Sequence, residues 1–192
     1  MNLPNDYDQA QAYTGGGNYP TLPIGGHVCR IIDARETTSR NGNPMLEVAI
    51  DISEGGPDDG FYKAVFDSKR KNKPDAKWPC IFRTGLLNKE GKTSGFFKGL
   101  ITAIEDSNAG YNFKATGGDE KTLKGKMVGF NFGEEEWRKS DGSIGVSVKP
   151  FWAVNVAKVR EGIDPPPRKA LKESAPVSRN DFAEVSDDEL PF

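Results

Sequence analysis

Hydrophobic and polar positions alternate between residues 45 and 53, with Leu46, Val48, Ile50 and Ile52 on one parity and Glu47, Ala49 and Asp51 on the other. A period of two sends successive side chains to opposite faces of a pleated strand, so this stretch predicts a strand with one buried face. Residues 27 to about 37 set Val28, Ile31 and Ile32 among Arg30, Asp33 and Arg35 and predict its partner. Between them lies Ser39-Arg40-Asn41-Gly42-Asn43, where Asn-Gly signals a hairpin because both residues accept positive φ. After a turn-rich stretch at 54–60, Phe61-Tyr62-Lys63-Ala64-Val65-Phe66 predicts a third strand. Lys63 then shares a side with Phe61, and Tyr62 shares one with Phe66, which leaves open which side is inside. From residue 93 to 108 the period changes. Phe96, Phe97, Leu100, Ile101 and Ile104 fall on one helical face, with Thr93 or Ser94 placed to cap its start, and this is the one helix the pattern predicts. The last two strands, 126 to about 134 and 144–156, flank a second hairpin signal in Lys139-Ser140-Asp141-Gly142-Ser143. In the second of them Val146, Val148, Trp152, Val154 and Val156 share one parity, and Ser147, Lys149, Phe151 and Asn155 the other. Trp152 is thereby assigned to the core and Lys149 and Phe151 to the opposite face, while Phe130 and Phe132 follow Val128 inward.

Three strands, a helix and two strands, with hairpins joining the first to the second and the fourth to the fifth, are the layout of a five-stranded OB-fold barrel. Its helix, between strands 3 and 4, plugs one end. An SH3-like barrel would lack the helix, and a sandwich would want about seven strands. The expected class is therefore all-β with one helix and a disordered C-terminal tail. Residues 1–22, polar and carrying Gly15-Gly16-Gly17, predict a flexible N-terminal arm, and residues 23–160 the OB-fold domain. Residues 161–185, with Asp164-Pro165-Pro166-Pro167 near their start, predict a disordered linker to a tip at 186–192.

A chain of 192 residues, 35% hydrophobic, buries one core of moderate size, and 22 Gly with 13 Pro fit many turns. The net charge of -2 hides an asymmetry, since residues 177–192 sum to -4 and the other 176 to +2. So mild a balance makes the position of the bases matter more than their number. They cluster at 68–77, where Lys69, Arg70, Lys71, Lys73 and Lys77 face one acid, Asp75, and Trp78 follows at once. Single-stranded nucleic acid is held by cations that track phosphates and by aromatic rings on which bases stack. The candidate DNA-binding set is accordingly Lys63, Lys69, Arg70, Lys71, Lys73, Lys77, Trp78, Lys149 and Phe151. Trp137 and Arg138 join it near the tip of the last hairpin, where OB-fold binders carry a clamping loop.

Catalysis finds little support. One histidine, His27, and the lone cysteines Cys29 and Cys80, with no Cys-x-x-Cys, build neither a zinc site nor a nucleophilic triad, and no phosphate-binding loop appears. A two-metal nuclease would draw on Asp51, Glu134, Glu135 and Glu136, of which the Glu triplet reads more simply as a solvated strand end. The expectation is no enzyme, no cofactor and no metal. No basic segment leads into an apolar run and nowhere do 18 apolar residues stand together, so a soluble protein that is neither exported nor membrane-bound is expected, with both cysteines reduced.

Residues Ser186-Asp187-Asp188-Glu189-Leu190-Pro191-Phe192 place three carboxylates before Leu-Pro-Phe. Such a peptide has too little apolar surface to fold alone and suits an apolar socket flanked by Arg or Lys. It resembles the acidic tip of bacterial-type single-stranded DNA-binding proteins, a run of Asp followed by a hydrophobic residue, Pro and Phe. The resemblance implies that Asp187, Asp188, Glu189, Leu190, Pro191 and Phe192 recruit replication, recombination and repair enzymes: a polymerase, helicase, nuclease or recombinase. The body resembles a family of small phage proteins with OB-like architecture and roles beside recombination and replication genes. The residues that carry this are Pro23-Ile24-Gly25-Gly26, Thr38-Ser39-Arg40-Asn41-Gly42-Asn43-Pro44-Met45-Leu46 and Leu123-Lys124-Gly125-Lys126-Met127-Val128-Gly129-Phe130. Together they imply a non-sequence-specific single-stranded DNA-binding protein of phage replication or recombination in a bacterial host cytoplasm, with monomer or homo-oligomer left open. The alternative is a recombination accessory or adaptor protein that uses the barrel mainly for protein contacts.

Overall fold

The alternation at 45–53 is realised in strand β2 (Pro44–Ile52), which pairs antiparallel with β1 (Gly25–Thr38) and buries Leu46, Val48, Ile50 and Ile52. In the computed structural model, which describes residues 21–171, the connecting turn departs from the Asn-Gly expectation. Only Gly42 takes positive φ (77°), Gly42 N–H donates to Ser39 O (2.9 Å), and Ser39 N–H donates to Asn43 O (2.8 Å). Three residues thus lie inside the closing pair and the glycine alone supplies the left-handed step. The second hairpin, between β4 (Met127–Arg138) and β5 (Ile144–Val154), repeats this geometry with Lys139, Gly142 (φ 84°) and Ser143.

Residues 61–66 are not a strand. They open helix α1 (Phe61–Asn72); of the cations expected on a loop after them, Lys69, Arg70 and Lys71 ride on its last turn, Lys73 is its C-cap, and Lys77 lies beyond it. Phe61, Tyr62, Val65 and Phe66 recur at i, i+3 and i+4, a spacing that fits a helix as well as a short strand. The capping group comes from elsewhere in the chain: the buried Asp51 carboxylate, on β2, accepts from the backbone N–H of Tyr62 (2.8 Å) and Lys63 (3.3 Å). The third strand lies later, as β3 (Ile81–Gly85), antiparallel to β2.

Helix α2 (Gly95–Ser107) buries Leu100, Ile101 and Ile104, as its period predicts, and Ala103 besides, but Phe96 stands 69% exposed rather than inside. The five strands form one antiparallel sheet in the order β3-β2-β1-β4-β5, with β3 and β5 as its edges. The core on its inner side centres on Ile31, Val48, Ile50, Leu100, Ile104, Leu123, Val128, Phe130 and Phe132. Each buried Ile, Leu or Phe is worth about 1.5–3 kcal/mol of transfer free energy. Leu22 is buried in the same core, so the body begins just before the expected boundary.

Two bulges re-aim side chains. Pairing runs from Ile31↔Ile50 to Asp33↔Ala49, which leaves Ile32 extra, and from Phe132↔Pro150 to Asn131↔Trp152, which leaves Phe151 extra. One inserted residue swaps the faces of everything beyond it. Hence Val148 packs against the core while Trp152, of the same parity, turns outward and is 37% exposed, against its expected place inside. Val146, expected beside it, is 44% exposed on the outlying half of the β4–β5 hairpin.

A third helix, α3 (Val156–Glu161), follows β5, its start capped by Asn155 Oδ1, which accepts from Lys158 N–H at 2.8 Å. The chain does not leave the body at residue 161. Residues 162–171 run across the outer side of β4 as a strap. Gly26 and Gly133 make this possible, because a Cβ on them would collide with Ile163 and Pro166 above, and Gly129 likewise makes room for Val159 of α3. Asn131 Nδ2 donates to Asp164 O (2.9 Å), Lys169 N–H to Glu134 O (2.8 Å) and Glu136 N–H to Lys169 O (3.0 Å), so the strap adds a short parallel bridge to β4. The expected arm at 1–20, the remainder of the linker and the tip at 186–192 lie outside the described residues.

Candidate nucleic-acid interface

The registers of β1, β2 and β3 set their outward residues in rows: Asp33, Ala49 and Ile81, then Arg35, Glu47 and Arg83, then Thr37, Met45 and Gly85. In the middle row Arg35 Nε and Nη2 donate to one oxygen of Glu47 (2.8 and 2.6 Å) and Arg83 Nε donates to the other (2.6 Å). Arg83, then Arg35, holds the Glu47 carboxyl below its usual range against the opposing effect of burial. The carboxylate is nearly enclosed, with 11% of its side chain exposed, whereas Arg35 and Arg83 keep 67% and 52%. Glu47 therefore fixes two guanidinium groups side by side and leaves their remaining N–H donors facing solvent, the arrangement that suits phosphate or carboxylate oxygens.

Trp78 stands beside this face at the junction of α1 and β3. Its indole N–H donates to Ile50 O (2.9 Å) and its ring packs at 5.1 Å from that of Phe66, so half of it is structural and half is open. A cavity of about 360 Å³ opens between the β1 bulge and Trp78, lined by Ile32, Asp33, Arg35, Ala49 and Ile81 among others. A larger groove, about 820 Å³, follows the gap between the edge strands β3 and β5, with Arg83, Phe96, Lys149, Phe151, Trp152 and Lys169 on its walls. Lys77, Trp78 and Ile81 line both. The cavity and the groove thus adjoin at Lys77, Trp78 and Ile81.

Of the residues singled out in the sequence, the groove unites Lys77, Trp78, Lys149 and Phe151. Lys69 and Lys73 adjoin it through a shallow hollow that Lys77 also lines. Arg70 sits over the Phe66 ring at 5.5 Å, Lys71 is exposed on the last turn of α1, and these cations suit the helix's negative end. Lys63 is at the other end of α1, on a helix rather than a strand, and pairs with Asp67 (2.6 Å). Trp137 and Arg138 lie on the outlying part of the β4–β5 hairpin, away from the groove; Trp137 is 44% exposed and its indole lies over Gly145, where a Cβ would meet it. The sequence pattern does not single out Arg83, and it reads Arg35 only as a strand position and Phe96 and Trp152 only as apolar-face positions. Alternation along β1 gives Arg35 an outward place, but its meeting with Arg83 needs the position of β3, and Trp152 needs the bulge.

The carboxylates weighed for metal chemistry are engaged otherwise. Asp51 caps α1; Glu134 and Glu136 pair with Arg168; Glu135 accepts from Lys149 and Lys169, in that order the causes that hold its carboxyl below the usual range. Among the described residues no group of three His, Cys, Asp or Glu is arranged to hold a metal ion. Burial pushes the Cys29 thiol well up and that of Cys80 to about 12, so neither offers a thiolate near neutrality. Both ring nitrogens of His27 are engaged, by Glu54 (2.8 Å) and Pro23 O (2.9 Å). Among the described residues no helix is long and apolar enough to cross a membrane. The chain matches no protein-family model and no curated protein.

Proposed function

We propose that the chain binds single-stranded DNA without strong sequence dependence across the outer face of β1, β2 and β3 and into the β3–β5 groove. The observation that carries this is the juxtaposition, along a cavity and an adjoining groove, of the Glu47-held pair Arg35 and Arg83 with Lys77, Lys149 and the rings of Trp78, Phe151 and Trp152. Cations neutralise phosphates along the path, and exposed rings offer stacking worth about 1–3 kcal/mol per base. The strand order supports an OB-type reading. Rolled so that β3 and β5 face each other, the sheet becomes a five-stranded barrel with α2 between its third and fourth strands, and that fold binds oligonucleotides on strands 2 and 3. In this reading α1 is an insertion between strands 2 and 3 that brings Lys69, Arg70, Lys71 and Lys73 to the side of the site.

The second part of the proposal concerns Asp187, Asp188, Glu189, Leu190, Pro191 and Phe192, which recruit DNA-processing enzymes of a bacterial host during phage replication or recombination. It rests on the resemblance of that segment alone. The test of the first part is a fluorescence titration of the full chain with oligo-dT at low and high salt. Binding that weakens steeply with salt is expected, since each neutralised phosphate releases counterions. No binding at low salt sinks the DNA reading and leaves the adaptor role. For the tip, deleting Phe192 should abolish capture of host replication and repair enzymes while oligo-dT affinity stays unchanged; capture that survives the deletion removes the tip from the account.

A further inference from the structure

We propose that the cavity at the β1 bulge is a nucleobase socket that prefers guanine, an inference that rests on the DNA-binding reading and deepens it. The bulge puts Ile32 at its side, and Ala49 and Ile81 stand next to each other in the outward row, so with the open part of Trp78 the walls are apolar and partly aromatic. A volume of about 360 Å³ is at the small end of ligand pockets, and apolar walls with a few convergent polar groups are their usual make-up.

Polar groups decide which base fits. Asp33 faces outward opposite Ala49 at the rim, and Lys77 lines the same cavity; among the described residues neither has an ion-pair or hydrogen-bond partner. An unpaired carboxylate on a face that takes phosphates weakens binding through repulsion unless the ligand supplies donors to it. Guanine alone among the DNA bases presents two adjacent N–H donors on its Watson–Crick edge, N1–H and N2–H, which match the two oxygens of one carboxylate. Its O6 and N7 accept from Lys or Arg, a role open to Lys77 and to the outward N–H groups of Arg35. Thymine offers a single N–H between two carbonyls, which meet the carboxylate unfavourably. Adenine and cytosine each offer one amino group. The socket therefore discriminates at one nucleotide while the rest of the strand is held through phosphates and stacking.

The test titrates the full chain with oligo-dT of about 15 nucleotides, within the span of one such domain, and with the same oligomer carrying a central dG, dA or dC. A bidentate base contact predicts about tenfold tighter binding of the dG oligomer and no gain for dA or dC. Asp33→Asn should erase the dG advantage while oligo-dT affinity holds or rises, because a negative charge leaves the face. Trp78→Phe, which keeps a ring but loses the bond to Ile50 O, should retain part of the advantage. Equal affinity for all four oligomers, with oligo-dT still bound, overturns the socket and leaves the DNA-binding reading intact; so does a dG advantage that survives Asp33→Asn. Failure to bind any of the four overturns both.

Discussion

The outer side of the sheet is divided between two regions built from similar parts. Over β4 the surface is flattened by Gly129 and Gly133 and is covered by α3 and the chain's own strap, with Glu135 holding Lys149 and Lys169. Farther along β1 and across β2 and β3, Asp33, Arg35 and Arg83 stay exposed, and Glu47 holds Arg35 and Arg83. A carboxylate between two cations serves opposite ends in the two places. Glu135 ties a cation of the strap to one of the sheet, so its pairs fasten one segment to another. Glu47 ties two cations of neighbouring strands that stay mostly exposed, so its pairs orient donors and fasten nothing. Cross-strand registers already fix β1 and β3 on β2, and surface ion pairs add only about 0–1 kcal/mol. The Glu47 arrangement is thus better suited to presenting charge than to stabilising the sheet, and this difference separates the proposed binding face from its structural neighbour.

The largest expected effect breaks the covered side. Gly133→Val puts a branched side chain where even a Cβ would meet Pro166 and the Phe151 ring. Overpacking of this kind costs about 1–3 kcal/mol, and the strap is the part free to move. Chemical denaturation should show the loss, and trypsin should cut rapidly after Arg168 and Lys169 in the variant but slowly in the parent chain. Equal cutting in both would mean that the strap does not depend on the glycine surface. Next in size is Arg35→Gln with Arg83→Gln on the open side, where glutamine keeps a donor for Glu47 and removes the charges. Oligo-dT affinity should fall about tenfold and the salt dependence flatten by about two counterions, with the trypsin pattern unchanged. Undiminished affinity would move the binding site off this face.

Much of the framework was legible in the sequence because it depends on local periodicity. The β1–β2 hairpin, α2, the inward Phe130 and Phe132 and the β4–β5 hairpin all follow from spacing and turn residues. What escaped depends on contacts between segments distant in the chain. The residue that caps α1, Asp51, lies on a strand ten positions before the helix, and without it Phe61, Tyr62, Val65 and Phe66 satisfy a short strand equally well. Displacing the third strand to 61–66 hid β3, and with it the row that joins Arg83 to Arg35. Parity counted through Phe151, which the ladder skips, places Trp152 inside. The strap was missed for a different reason. Its prolines and charges have the composition of a linker, and only the glycines of β4 and β1, read in register, reveal a seat for it.

The smallest effect separates the two carboxylates by acid. Both Glu47 and Glu135 have pKa values lowered in the folded chain, so each contributes stability that is fully present above the unfolded value near 4.5 and is lost as pH falls through the lower folded value. Between pH 7 and pH 5 neither region should change. Below about 4.5 the two should respond differently, because protonating Glu135 loosens the pair that ties Lys169 of the strap to the sheet, where only a short bridge joins the two backbones, whereas protonating Glu47 leaves β1, β2 and β3 joined by their ladders. Amide exchange reports this locally: protection of Lys169 and Glu136 N–H should drop in acid more than protection of the amides in β2, after correction for the intrinsic pH dependence of exchange. Glu135→Gln should weaken the strap already at pH 7, by the few tenths to about 1 kcal/mol expected of exposed pairs, and should reduce the further acid response at Lys169. If acid loosened β2 and the strap equally, the pairs of Glu47 would be holding the sheet together rather than displaying its arginines, and the contrast between the two regions would fail.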